Sequence, residues 1–238
     1  MTKNALLIGL NYTGSDSELS GCWNDVNNMA QFLESQGFTC SKYTDEKESL
    51  TAERILKLIN EFCKDLTGSA VIHYSGHGGS LRDNGKDEID GKDECLFGSD
   101  LETVRDDDIR KAVSKISNDC KLRMILDCCH SGSGADLTWR CSPAGKISSS
   151  RESADLNKNI VCISGCKDVQ TSADAFIDGQ DQGALTANFL KLAKNFNSAT
   201  WFSFLSVLQY KLLKSRYSQI PQLSYCNTGL PNTSFDFV

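Results

Sequence analysis

The chain has 238 residues, 39% of them hydrophobic and 24% charged, with a formal net charge of −6. Apolar residues suffice for the core of one α/β domain, which excludes wholesale disorder, and no apolar run approaches the ~18 residues of a membrane span. A net acidic chain also disfavours a general nucleic-acid binder. Residues 5–10 read as a buried first strand whose apolar run is too short for a secretory signal. Val26, Met29, Ala30, Phe32 and Leu33 follow at helical spacing, and Gly37 ends that helix. Residues 38–43 predict a short strand. Thr51 caps a helix that runs through Ile55, Leu58, Ile59 and Phe62. Residues 70–74 are a strand leading into Gly76, Gly78 and Gly79. Over residues 82–108, eleven acidic side chains oppose four basic ones, a local net of −7 that marks a local site. Residues 106–116 read as a helix with acids in its first turn, where the dipole favours them. Residues 122–126 form the next buried strand. Residues 133–158 are rich in Ser, Gly and charge and read as an exposed junction. A strand over 160–164, helices over 186–196 and 201–217, and an extended segment over 219–225 close the chain.

Strands alternating with helices predict one α/β domain, with a mostly parallel central sheet and helices on both faces. Ligands in such sheets bind beyond the carboxyl ends of strands. Two strand ends here carry reactive side chains: His73-Tyr74-Ser75-Gly76-His77-Gly78 and Asp127-Cys128-Cys129-His130-Ser131-Gly132. The eleven cysteines are odd in number, so they cannot all pair internally. Several sit in apolar runs and read as small buried hydrophobes in a reducing, cytoplasmic compartment. With no CxxC pair and only His73, His77 and His130, structural zinc is disfavoured.

A cysteine nucleophile needs a thiolate, a nearby proton acceptor and donors for the developing oxyanion. His77 on a glycine-flanked turn and Cys129 just past another strand are 52 residues apart, and a parallel sheet makes such ends neighbours. Cys128 reads as a side chain turned back into the core by strand alternation, and His73 as a satisfied strand histidine. His130 reads as shaping its turn.

The two strand ends, with Gly21-Cys22-Trp23-Asn24-Asp25, Ser164-Gly165-Cys166-Lys167-Asp168-Val169-Gln170-Thr171-Ser172-Ala173-Asp174 and Pro221-Gln222-Leu223-Ser224, resemble the metacaspases, caspase-like cysteine endopeptidases. The matches run in order along essentially the whole chain. The resemblance implies a caspase-like three-layer sandwich. It divides the chain into a large-subunit-like segment 1–132, the junction 133–158 and a small-subunit-like segment 159–238. It reads as a bare type I core, with no prodomain ahead of the first strand.

The resemblance also implies roles. His77 is the general base, Cys129 the nucleophile, and the backbone N–H groups of Gly78 and Cys129 the oxyanion donors. Cleavage after Arg or Lys requires a carboxylate pocket, for which Asp25 and Asp168 match the family positions, with Cys22 beside them. Asp93, Asp106 and Asp107 resemble the family's calcium elements, with Asp174 or Asp178 as a further ligand, although the loop between Glu94 and Asp106 is shorter than the family's. Calcium is then an activator that orders loops. The implied partners are protein or peptide substrates with Arg or Lys before the scissile bond. The resemblance favours a monomer, in a setting of programmed cell death. Self-cleavage at Arg140, Lys146 or Arg151 is expected from basic residues in an exposed junction. The competing readings are a caspase-like peptidase of other specificity, an inactive caspase-like interaction module, and a redox sensor built on Cys128 and Cys129.

Overall fold

The computed structural model describes residues 2–82, 92–128, 135–141, 146–149, 155–165, 174–177, 179–196, 200–217 and 219–236. In chain order, β1 (Lys3–Gly9), α1 (Cys22–Ser35), β2 (Thr39–Thr44), α2 (Ala52–Cys63) and β3 (Ser69–Ser75) alternate. β4 (Gly78–Arg82), β5 (Lys92–Phe97) and β6 (Thr103–Arg105) form a small antiparallel sheet ahead of α3 (Asp106–Val113) and β7 (Lys121–Asp127). Next come β8 (Trp139–Cys141), β9 (Ile147–Ser149) and β10 (Asn159–Ser164). A hairpin of β11 (Asp174–Ile177) and β12 (Gln180–Gly183), helices α4 (Ala184–Ala193) and α5 (Trp201–Lys214), and β13 (Gln222–Tyr225) complete the order.

The main sheet runs β2-β1-β3-β7-β10-β13-β8-β9. Its first five strands are mutually parallel, and each of the last three is antiparallel to its neighbour. Leu6, Ile8, Ile72, Met124 and Leu126 face α2 and α3, packing on Ile55, Leu58, Ile109 and Val113. Leu7, Val71, Ile125 and Val161 face α1, α4 and α5, packing on Val26, Met29, Phe189 and Phe204. Burial on both faces is why these strands read as continuous apolar runs. The Thr51 hydroxyl accepts the Arg54 N–H at 3.2 Å, the N-cap expected at α2. Gly37 turns the chain out of α1 at φ +85°. α1 crosses β1 at Gly9, where a Cβ would lie 2.6 Å from the Cys22 carbonyl oxygen.

Within 133–158, residues 135–141 pack into the fold, whereas Lys146, Ile147, Asp155 and Asn157 are exposed. Ala135, Asp136 and Leu137 are buried, Arg110 donates to the Asp136 carbonyl at 2.6 Å, and β8 and β9 extend the main sheet. Strands of three residues (Trp-Arg-Cys and Ile-Ser-Ser) are too short to display a period of two. At the other end of β7, the buried Arg123 pairs with Asp236 at 2.9 Å, and Lys121 and the Trp201 indole N–H also reach that carboxylate. Phe235 stacks on Phe204 at 4.0 Å, so the end of the chain locks α5 to β7. Among the described residues, no helix is long and apolar enough to cross a membrane.

Candidate active site

β3 and β7 pair in parallel with Ser75 opposite Asp127, and the Gly76 N–H donates to the Asp127 carbonyl at 3.3 Å. His77 therefore leaves the sheet two residues beyond a point level with Asp127, and Cys129 is two residues beyond Asp127 in sequence. Cys129 and His130 lie outside the described residues. Cys128 is fully buried among the residues facing α2 and α3, as strand alternation requires.

His77 is held from three directions. Its Nε2 lies 2.7 Å from the Ser17 carbonyl oxygen. A carbonyl oxygen only accepts, so Nε2 carries the hydrogen and Nδ1 keeps the lone pair of a base. Its backbone N–H donates to the Tyr12 hydroxyl at 3.0 Å, and its carbonyl accepts from Tyr74 at 2.8 Å. The Tyr12 ring packs against the imidazole with centroids 4.7 Å apart. Burial raises both phenol pKa values far beyond the ordinary tyrosine range, so both stay protonated donors. Asp45 fixes this support by accepting from the N–H groups of Asn11 and Tyr12 at 2.9 and 2.7 Å and from the Trp23 indole.

Beside this loop lie two buried carboxylates. Asp25 on α1 accepts from the Ser75 hydroxyl at 2.6 Å and from the Gly183 N–H at 3.0 Å on each oxygen. Asp127 accepts from the Thr186 N–H at 2.8 Å. A Cβ on Gly183 would sit 2.5 Å from Asp25 Oδ2 and 2.2 Å from Asp127 Oδ2, so those oxygens are no more than 4.7 Å apart. Gly183 is the N-cap of α4 and Thr186 lies in its first turn, so the positive end of the helix faces the pair. Ser75, Gly183 and Thr186 are neutral donors that orient the two carboxylates.

The chain matches the caspase-domain family over residues 2–229. It is 32% identical to Metacaspase-1 of Meyerozyma guilliermondii, over 93% of this chain and 69% of that protein. It is also 32% identical to Metacaspase-1 of Debaryomyces hansenii, over 98% of this chain and 67% of that protein. This chain is a metacaspase. A crystal structure of a Geobacter sulfurreducens protein superimposes with a TM-score of 0.69 at 25% identity, covering 99% of this chain and 98% of that one. The fold is therefore the caspase-like α/β sandwich, and the metacaspase is a cysteine peptidase.

The remaining expected residues fall in different places. Gly78 opens β4 directly after His77. Cys22 is buried at the start of α1, its N–H donating to Asn11 Oδ1 at 2.9 Å, among the apolar residues facing α2 and α3. Asp168, Asp178 and Arg151, and the side chain of Asp174, lie outside the described residues. The acidic corner does not form a calcium site from what is described. Asp93 is buried and forms a close ion pair with Arg105. Both oxygens of Asp106 accept backbone N–H groups, from Glu94 at 2.9 Å and Asp107 at 3.0 Å. Asp107 is only half-buried in the first turn of α3. Among the described residues, no three acidic, His or Cys side chains converge, whereas calcium takes six to eight oxygens. These residues do not fit the ion while Arg105 holds Asp93.

Sequence reasoning passed over Tyr12, Ser17, Asp45, Asp127, Gly183 and Thr186. Asp127 carried a signal: a carboxylate ending an apolar strand, on the face opposite Cys128, is costly unless it is used. Ser17 acts through its backbone oxygen and carries no side-chain signal at all.

Proposed function

We propose that this metacaspase hydrolyses peptide bonds on the carboxyl side of Arg or Lys, with Cys129 as nucleophile and His77 as base. The observation that carries this reading is the pair Asp25 and Asp127, fixed within 4.7 Å of each other at the strand ends that lead to His77 and Cys129. A guanidinium or ammonium group is the natural partner of such a pair. Both carboxylates are closed off from solvent, so the proposal includes an opening step before a side chain enters.

With Nε2–H held by Ser17, Nδ1 of His77 takes the thiol proton of Cys129. The thiolate attacks the carbonyl carbon, and the N–H groups of Gly78 and Cys129 receive the oxyanion. His77 returns the proton to the leaving amine as the C–N bond breaks, which leaves a thioester. Water, deprotonated by His77, then releases the acid and restores the thiol. The corner around Asp93 and Asp106 is assigned no step.

Self-cleavage after Lys146 follows from the same specificity. Lys146 is exposed just ahead of β9, whereas Arg140 lies within β8, paired on both sides. The test of the reading is a panel of fluorogenic peptides ending in Arg, Lys, Asp or Asn, with intact mass followed in parallel. Selective turnover of the Arg and Lys peptides supports it, and equal or Asp-selective turnover overturns it.

A further inference from the structure

His73 is a buried titratable side chain that the chemistry above leaves without a task. His73 lies on β3 two residues before Ser75, on the same face of the strand, and is fully buried. Its Nε2 is 3.1 Å from the Thr186 hydroxyl. Its Nδ1 has no hydrogen-bond partner among the described residues. Burial lowers the ring's pKa to about 3, so the imidazole is neutral at any working pH. A neutral ring has one N–H. An orphaned buried N–H is rarer than an orphaned acceptor, so that hydrogen belongs on Nε2, donated to Thr186. An apolar side chain of similar size would avoid the orphaned nitrogen, so the ring is explained by its contact with Thr186.

Thr186 stands in the first turn of α4, and the N-cap and first turn together hold both carboxylates. The Gly183 N–H reaches Asp25, and the Thr186 N–H reaches Asp127. α4 has no capping side chain of its own, so Asp25 and Asp127 satisfy its leading N–H groups from other elements. The geometry works only if the first turn sits at one height above the sheet. The His73–Thr186 hydrogen bond is a side-chain tether from the neighbouring strand to that turn. Its neutrality matters, because a cation at this point would compete with the substrate's own charge for the two carboxylates.

We propose that His73 is a positioning residue for recognition of the substrate's cationic side chain, acting through Thr186 on the α4 turn that orients Asp25 and Asp127. The proposal rests on the Arg/Lys reading above. Its test compares the wild type with His73→Leu, His73→Gln, Thr186→Val and the double variant His73→Leu/Thr186→Val on Arg-ending and Asp-ending peptides. Loss of one buried hydrogen bond predicts a KM for the Arg peptide raised roughly tenfold in His73→Leu, with kcat within about twofold. Thr186→Val gives a similar rise, the double variant is no worse than either single one, and His73→Gln, which keeps an N–H donor, recovers most of the affinity. Thr186→Val and His73→Gln keep the question decidable if His73→Leu fails to fold. An unchanged KM in folded variants, a fall confined to kcat, or additive effects of the two substitutions would overturn the role of His73 alone. A wild type that does not prefer the Arg peptide would overturn the Arg/Lys reading and this proposal with it.

Discussion

Lowering the pH from 7.5 to 5.0 is expected to cost the folded chain about 2 kcal/mol through His73 alone. In the folded state burial sets the ring's pKa at about 3, against 6.5 when the chain is open. Below pH 6.5 the unfolded chain takes up a proton that the folded chain refuses. Stability is therefore full above that pH and is lost progressively as pH falls toward 3. Each pH unit within the window is worth about 1.4 kcal/mol, so 1.5 units below the open-chain value costs about 2 kcal/mol. Urea unfolding at both pH values, in the wild type and in His73→Gln, isolates this contribution, because all other titrating groups are common to both. The wild type is expected to lose about 2 kcal/mol more than the variant between the two pH values. Equal losses would refute a buried, neutral His73 and the argument built on it.

Replacing Gly183 with Ala puts a methyl group onto both carboxylates, which the structure holds 2.2 and 2.5 Å from that point. The expected outcome is a KM for Arg peptides raised at least as much as in His73→Leu, read by steady-state kinetics. Asp236→Ala strips the buried Arg123 of its carboxylate. Although burial pushes the Asp236 pKa up, Arg123 and Lys121 pull it below the ordinary range, so the pair is charged at neutral pH. Its loss is expected to cost about 2 kcal/mol, discounted for the partial exposure of Asp236 and read as a lowered Tm. Excess calcium is expected to leave the Tm of the wild type unchanged and to raise that of Arg105→Gln, in which Asp93 is released from its ion pair. A chelator-sensitive Tm in the wild type would contradict this.

The parallel half of the sheet was legible because β1, β3, β7 and β10 are buried on both faces and so appear as unbroken apolar runs between turn residues. The Thr51 cap and the Gly37 turn were legible because their signals are local. β6, β8 and β9 were missed because three residues show no period, and β5 because charges run through its first half. Asp25 stands in a motif the sequence displays, whereas its neighbour Asp127 carries no such pairing signal, since the two meet only where α1, β7 and the start of α4 converge on Gly183. The support of His77 was equally hidden. Tyr12 and Ser17 reach it from about sixty residues upstream, one of them through a backbone oxygen. The acidic corner at Arg105 shows another limit of the sequence. The sequence displays the charge of Asp93 and Asp106 but not the guanidinium and N–H groups that meet them.

The central claim is that a thiol at Cys129 and the carboxylates at Asp25 and Asp127 make an Arg/Lys-directed peptidase. It is tested most directly by kcat/KM for matched Arg-ending and Asp-ending peptides in the wild type, Cys129→Ala, Cys128→Ala and Asp25→Asn. Selective turnover of the Arg peptide is expected from the wild type and none from Cys129→Ala. Cys128→Ala keeps most of the turnover, and Asp25→Asn loses roughly 100-fold on the Arg peptide with little change in Tm. Persistent turnover in Cys129→Ala, or an Asp25→Asn enzyme that cleaves the Arg peptide as well as the wild type, would contradict it.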